Sequence, residues 1–180
     1  MRSVSAAHVA LVLALLSPFF AADGASAENA KPARARTVEF VVSGAVRAEK
    51  TFDAAALAAL PRTTAEVVYA GGGEVRRQRF SGALLWDVLN AAGLALDPSV
   101  HNDALRKVVT ISASDGYEVA LSVGEIDPAF GAAPVMVAYE ADGAPLGDSG
   151  FARLVAPGDK RPGRFVSNIA RIEVRDATKP

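Results

Sequence analysis

Three consecutive stretches, VMVAYEADGAPL (residues 135–146), ARLVAPGDKRPGR (152–164) and VSNIARIEV (166–174), decide the fold of this chain. The first opens as a short apolar run, Val135 to Glu140, that ends at Asp142-Gly143, a dipeptide that readily takes the positive φ angles of a tight reversal. It predicts a strand and a hairpin-like turn. A second apolar run, Ala152 to Ala156, is stopped by Pro157-Gly158. Residues Ile169 to Val174 then alternate, which predicts a third strand with Ile172 and Val174 on one face together with Ala170. Three strands so closely spaced imply a mostly β domain.

Working outward, Val38, Phe40 and Val42 alternate up to Gly44 and mark the first strand. Asp53 is placed to cap a short helix over Ala54 to Leu60, stopped by Pro61. Thr63 to Tyr69 has the β-branched and aromatic content of a strand and runs directly into Gly71-Gly72-Gly73. Ser81 precedes a predicted helix with Leu85, Val88, Leu89 and Ala92 on one face and Gly93 at its end. Lys107 to Ala113 and Tyr117 to Leu121, on either side of Asp115-Gly116, read as a hairpin, and Ser122 with Glu125 has capping-box spacing. Strands outnumber helices, and the fold class is α+β with mixed sheets and a few short helices.

With 180 residues, 51% of them hydrophobic and 22% charged, the chain has the apolar content for one packed domain. Part of that content lies in Val9 to Phe20, an apolar run preceded by Arg2 and followed by Ala25-Ser26-Ala27. This pattern predicts a secretory signal over residues 1–27, cut after Ala27, and hence a periplasmic or secreted protein. The run is shorter than the roughly 20 residues needed to cross a bilayer, and nothing later in the chain is long enough to span one. Residues 28–37 are expected to be a flexible basic lead-in, and residues 38–176 the folded domain.

Loss of the signal removes Arg2 and Asp23, so the formal charge stays at −1, a balance that argues against a nucleic-acid partner. The sequence contains no cysteine, which excludes disulfides and every thiol-dependent metal, redox or nucleophile chemistry. His8 leaves with the signal and only His101 remains, so no site built on several histidines is available. No protein metal ligand and no catalytic residue is predicted from composition or spacing.

Several polar groups qualify as binding candidates, each with a plainer reading beside it. Gly71 to Gly73, followed by Arg76, Arg77 and Arg79, would let backbone N–H groups and guanidinium forks meet an oxyanion, or would simply form a flexible loop. Lys160, Arg161 and Arg164 lie in a Pro/Gly loop after a strand, where binding residues and ordinary surface charge both occur. Asp115 and Tyr117 flank a turn glycine, and turn geometry alone accounts for the Asp-Gly pair. Trp86 reads as partly buried core, and His101 beside Asn102 and Asp103 as a polar loop. No spacing brings Glu125, Asp127 and Asp148 together as a carboxylate pair.

Taken in order, seven segments resemble the oxidoreductase molybdopterin-binding domain of the sulfite oxidase family. They are Val42-Ser43-Gly44-Ala45-Val46, Val67-Val68-Tyr69-Ala70-Gly71, Phe80 to Leu89 with Ala92-Gly93, Ser114 to Tyr117, Val137 to Leu146, Arg153 to Gly158, and Val166 to Val174. The resemblance implies a sulfite oxidase-like α+β domain, which in the family holds molybdenum through a pterin dithiolene and one protein cysteine. That cysteine falls at Tyr69, and a phenol is a poor substitute for a soft thiolate ligand. Gly72-Gly73-Glu74 stand where the family has Asn-Arg-Arg, and Ser167 and Asn168 replace its usual lysine and tryptophan.

By the same resemblance, molybdopterin or a related small anionic ligand is expected against Tyr69, Ala70, Gly71, Arg76, Arg77, Asp115, Tyr117, Arg153, Lys160, Arg161, Arg164 and Ser167, with arginines meeting the pterin phosphate. Ordinary molybdenum turnover is not expected of Tyr69. The alternative keeps the fold without the cofactor, as a binding or accessory module whose partner is another ligand or a periplasmic redox or accessory protein. A third reading, a hydrolase using His101 as acid or base, needs only that one histidine.

Overall fold

A computed structural model describes residues 36–179. The predicted signal over residues 1–27 and most of the predicted lead-in therefore lie outside the described residues. Within them, apolar alternation produces ten strands in two sheets, with three short α-helices at their ends. The chain runs β1 (Glu39–Gly44), β2 (Lys50–Asp53), α1 (Ala54–Ala58), β3 (Thr63–Gly71), β4 (Glu74–Leu84) and α2 (Leu85–Ala91). It continues with β5 (Lys107–Ala113), β6 (Glu118–Ser122), α3 (Val123–Ile126), β7 (Met136–Ala141), β8 (Ala144–Pro145), β9 (Arg153–Val155) and β10 (Ile169–Asp176).

The first sheet has the order β2-β1-β10-β5-β6, in which β1 and β10 run parallel and the other neighbours antiparallel. The second has the order β3-β4-β7-β8, with β9 also paired to β7. Alternate residues of both sheets turn inward to one core that includes Phe40, Phe52, Phe80, Ile111, Met136, Leu154 and Ile172, all essentially buried. Phe40 stacks on Phe52 at 5.4 Å and on Phe151 at 5.8 Å between ring centroids. This is the α+β architecture of mixed sheets and few helices that the sequence predicts.

Local signals work as expected at several points. The Asp53 carboxylate accepts the Ala56 N–H at 2.8 Å and starts α1. Ser122 and Glu125 close a capping box around α3: the Ser122 hydroxyl accepts from Gly124, and the Glu125 carboxylate accepts from the Ser122 N–H. Asp142 and Gly143 take φ of +53° and +81° in the β7–β8 turn, and β5 pairs with β6 as a hairpin. Trp86 is half-buried against the core.

Other expectations need correction. The helix expected after Ser81 forms as α2, with Leu85, Val88, Leu89 and Ala92 buried and Gly93 at φ +75° beyond its end, but Ser81 does not cap it. β4 runs from Glu74 through Leu84, Ser81 is a buried strand residue, and α2 begins at Leu85 without a side-chain cap. The polar run from Glu74 to Arg79 conceals this strand because the β3–β4 hairpin extends beyond the core, leaving most of its residues exposed. Gly72 and Gly73 are the two-residue turn of that hairpin, with φ of +65° and +84°, and not a flexible loop. Helix α1 stops at Ala58, short of Leu60. In β10 it is Ile169, not Ala170, that joins Ile172 and Val174 in the core, because a register shift between Ile169 and Arg171 moves the alternation by one residue.

The end of β10 is held by charge. Lys107, buried at the start of β5, places its ammonium 3.0 Å from Asp103 and 3.1 Å from Asp176. Burial opposes the charge on Lys107, but its hydrogen bonds to both carboxylates outweigh that and raise its pKa. Asp176 is held well below the usual carboxylate range, first by hydrogen bonds from Thr178 and then by Lys107 and Arg106.

Candidate functional site

Strand alternation fixes where the candidate residues of the β3–β4 hairpin point. Tyr69 is paired directly with Arg76, and Val67 with Gln78, so these four share the inner face. Val68 is paired with Arg77 and Glu66 with Arg79, which puts those two arginines on the outer face. The run of three arginines is therefore split. Only Arg76 is on the side of Tyr69, while Arg79 and Arg77 bind Glu66 across the strands at 2.9 and 3.7 Å. Those contacts, led by the Arg79 hydrogen bond, lower the pKa of Glu66.

Tyr69 is 5% exposed. Its ring meets Phe165 edge-on at 5.2 Å, and Phe165 in turn meets Phe80 at 6.3 Å. Its hydroxyl donates to the side-chain oxygen of Gln78. The guanidinium of Arg153 lies over both Phe80 and Phe165, at 5.7 and 5.5 Å from the ring centroids. Ser167 forms a single bridge with Arg153 at the base of this cluster. The position where the resemblance places a metal-ligating thiolate is thus filled by a packed phenol whose one polar hydrogen is already engaged.

The loop after β9 crosses the end of β3. The carbonyl of Lys160 accepts the Ala70 N–H at 3.1 Å, and a Cβ added at Gly71 would meet the Pro162 ring at 3.6 Å and the Tyr69 ring at 3.7 Å. The hydroxyl of Tyr117, in the β5–β6 hairpin, donates to the Gly163 carbonyl, while the Asp115 carboxylate accepts the Tyr117 N–H at 3.1 Å. The loop thereby draws Ala70, Gly71, Lys160, Arg161 and Tyr117 to one end of the molecule.

Arg164 plays another part there. It grips Asp159 with two hydrogen bonds of 2.8 and 2.6 Å and reaches Glu125 at 3.2 Å. The Asp159 hydrogen bond is the main reason that its pKa is raised, and the same contact lowers that of Asp159. Arg164 fastens the loop. Arg76, Lys160 and Arg161, by contrast, have side chains without an ion-pair or hydrogen-bond partner among the described residues.

Chemically, three uncommitted cations near the hairpin end suit a phosphate or another oxyanion. Among the described residues no group of three or more His, Cys, Asp or Glu side chains converges as a metal site. His101 is exposed and bonded to its neighbour Asn102, and the described structure places no acid–base partner beside it. Gln78, Phe165, Pro162 and Gly163 complete the candidate site but carried no signal in the sequence: a glutamine inside a polar run and a phenylalanine after a loop acquire meaning only when the strands pair.

Clefts of about 840 and 480 Å³ lie elsewhere, respectively beside Lys107 and Asp176 and between α1 and Phe151, whereas one of about 590 Å³ lies over Arg77 and Arg79 and reaches Gln78.

The family model described as the oxidoreductase molybdopterin binding domain matches residues 28–180. Among solved structures, the fold is similar to the sulfane dehydrogenase SoxCD from Paracoccus pantotrophus, with a TM-score of 0.62 and 21% identity. The match covers 77% of this chain and 38% of that one, so the chain spans well under half the length of the protein it resembles. None of the curated proteins matches the chain significantly.

Proposed function

The chain belongs to the oxidoreductase molybdopterin binding domain family, and from that premise we propose that it binds molybdopterin or a related anionic ligand without any protein bond to a metal. The residues fit the two ends of such a cofactor unequally. Arg76, Lys160 and Arg161 would hold its phosphate, as uncommitted cations at the rim. The metal end lacks a donor: there is no cysteine, and Tyr69 at the corresponding position is buried with its hydroxyl donated to Gln78. The part-buried Tyr69–Gln78 pair is the observation that carries the absence of a protein bond to a metal.

The same pair favours a second reading, a cofactor-free binding or accessory module, because the phenol fills space where a ligand would otherwise enter. Export completes the proposal: residues 1–27 act as a signal, and the mature protein works in the periplasm or outside the cell. No helix among the described residues is long and apolar enough to cross a membrane.

The deciding experiment measures pterin fluorescence and molybdenum in protein purified from a host that makes the cofactor. The expected result is bound pterin, lowered about tenfold or more in the Arg76→Ala, Lys160→Ala, Arg161→Ala triple variant, the scale expected on losing charge-assisted hydrogen bonds. No bound pterin would leave the cofactor-free module. One molybdenum atom per chain, lost on Tyr69→Phe, would overturn the absence of a protein ligand. N-terminal sequencing of secreted material should read from Glu28.

A further inference from the structure

Strand β3 is nine residues long and lies at the edge of its sheet, paired only with β4. The direction of its free groups follows from one hydrogen bond. Ala70 donates its N–H to the Lys160 carbonyl at 3.1 Å and so points away from β4. Backbone direction repeats every second residue, so the N–H and C=O groups of Thr64, Glu66 and Val68 face the same open side. No backbone partner meets them among the described residues. The loop after β9 covers this edge only at its last residues.

Natural edge strands are usually blunted by proline, lysine, a bulge or very short length. β3 has none of these over Thr63–Gly71. Its one charged residue, Glu66, is neutralised by Arg79 and Arg77. Val68 is 48% exposed and Val75, on the same outer face at the hairpin tip, is 75% exposed. Toward the Gly71 end of this edge lie the uncommitted cations Lys160 and Arg161, and Arg77 on the outer face is only loosely paired, while the opposite charges of Arg76 and Glu74 lie on the inner face.

We propose that the open edge of β3 receives an extended acidic segment of a partner protein as an added strand. Backbone hydrogen bonds to Thr64, Glu66 and Val68 supply the affinity, an apolar residue of the segment lies beside Val68, and its carboxylates meet the cations toward the Gly71 end. A second copy of this chain is a poorer occupant. Antiparallel pairing of two β3 strands would bring the Lys160 and Arg161 end of one copy toward the Arg62 end of the other, where Glu140 is already taken up by Arg62 and offers those cations no free carboxylate.

The test titrates the purified protein with the acetylated, amidated peptide Thr-Glu-Val-Glu-Val-Glu-Thr and with its counterpart carrying lysine for glutamate. Backbone amide shifts and hydrogen exchange are followed by NMR. The expected result is shifts and new protection at Thr64, Glu66 and Val68, binding weakened by salt, and at least about tenfold preference for the acidic peptide. Val68→Pro should abolish binding with the fold intact by circular dichroism, because the N–H it removes lies outside the β3–β4 ladder. Absence of binding at low salt, equal affinity for both peptides, persistence in Val68→Pro, or a β3-dependent dimer by light scattering would each overturn the proposal. The shifts and protection at Thr64, Glu66 and Val68 do not involve pterin, but the acidic preference draws on Lys160 and Arg161, which the proposed function assigns to the pterin phosphate, so the titration uses pterin-free protein.

Discussion

Tyr69 shows how much one side chain settles at a site. Burial removes its ring from solvent, and Gln78 takes its hydroxyl hydrogen, so the phenol is a structural element of the β3–β4 hairpin. Tyr69→Phe keeps the ring packing and leaves the Gln78 oxygen without its donor. Urea unfolding should show a loss of about 1 kcal/mol, the usual net worth of such a hydrogen bond. Ligand binding at Arg76, Lys160 and Arg161 should be unchanged, since none of the three contacts that hydroxyl. The substitution of tyrosine for the family's cysteine was legible in the sequence, but the direction of the phenol was not. That direction depends on Gln78, nine residues away and diagonally across on the next strand, opposite Val67.

At the scale of elements, glycines decide which strands can touch. A Cβ at Gly82 would lie 2.1 Å from the Val137 carbonyl oxygen and 2.5 Å from the Ala138 Cα, both backbone atoms of β7. Gly82→Ala must therefore push β4 away from β7 at the point where their register shifts. Thermal and denaturant unfolding should register about 2 kcal/mol or more of destabilisation, as for other overpacked interiors. Gly158→Ala is the matched control, because nothing lies within 4 Å of its added methyl and its φ is not in the positive range. It should stay within about 0.5 kcal/mol of the parent. Sequence patterns located most strands and the capped helices α1 and α3, where the signal is local. They missed the outer half of β4, where exposure on both faces erases apolar alternation, and the phase of β10, where a bulge displaces it.

For the whole molecule, stability depends on pH through the carboxylates that hold the end of β10. The pKa values of Asp103 and Asp176 are lowered on folding, so protonation favours the unfolded chain. For Asp103 the main cause is a backbone hydrogen bond from Asp97, and for Asp176 the hydrogen bond from Thr178. Their contribution is complete above the unfolded value of about 3.9 and is lost as pH falls through the folded values. The raised pKa of Lys107 acts at the opposite end, its contribution present below about 10.4 and lost at higher pH. Melting temperature should be level between these limits and fall on the acid side, and Asp103→Asn with Asp176→Asn should flatten that acid limb. An unaltered limb in the double variant would show that other carboxylates govern it.

The amino-acid sequence determined the family, the strand-rich α+β class, the absence of thiol chemistry and the two basic segments, because apolar period, turn dipeptides and residue identity are carried by neighbours along the chain. Tertiary structure alone decided which cations remain uncommitted. Arg77 and Arg79 were turned away from Tyr69 by the two-residue repeat of β4, and Arg164 was tied to Asp159 and Glu125 by the path of its loop. Charge in a sequence is a count, whereas its availability is set by the direction of each side chain and by what the fold brings within hydrogen-bonding distance.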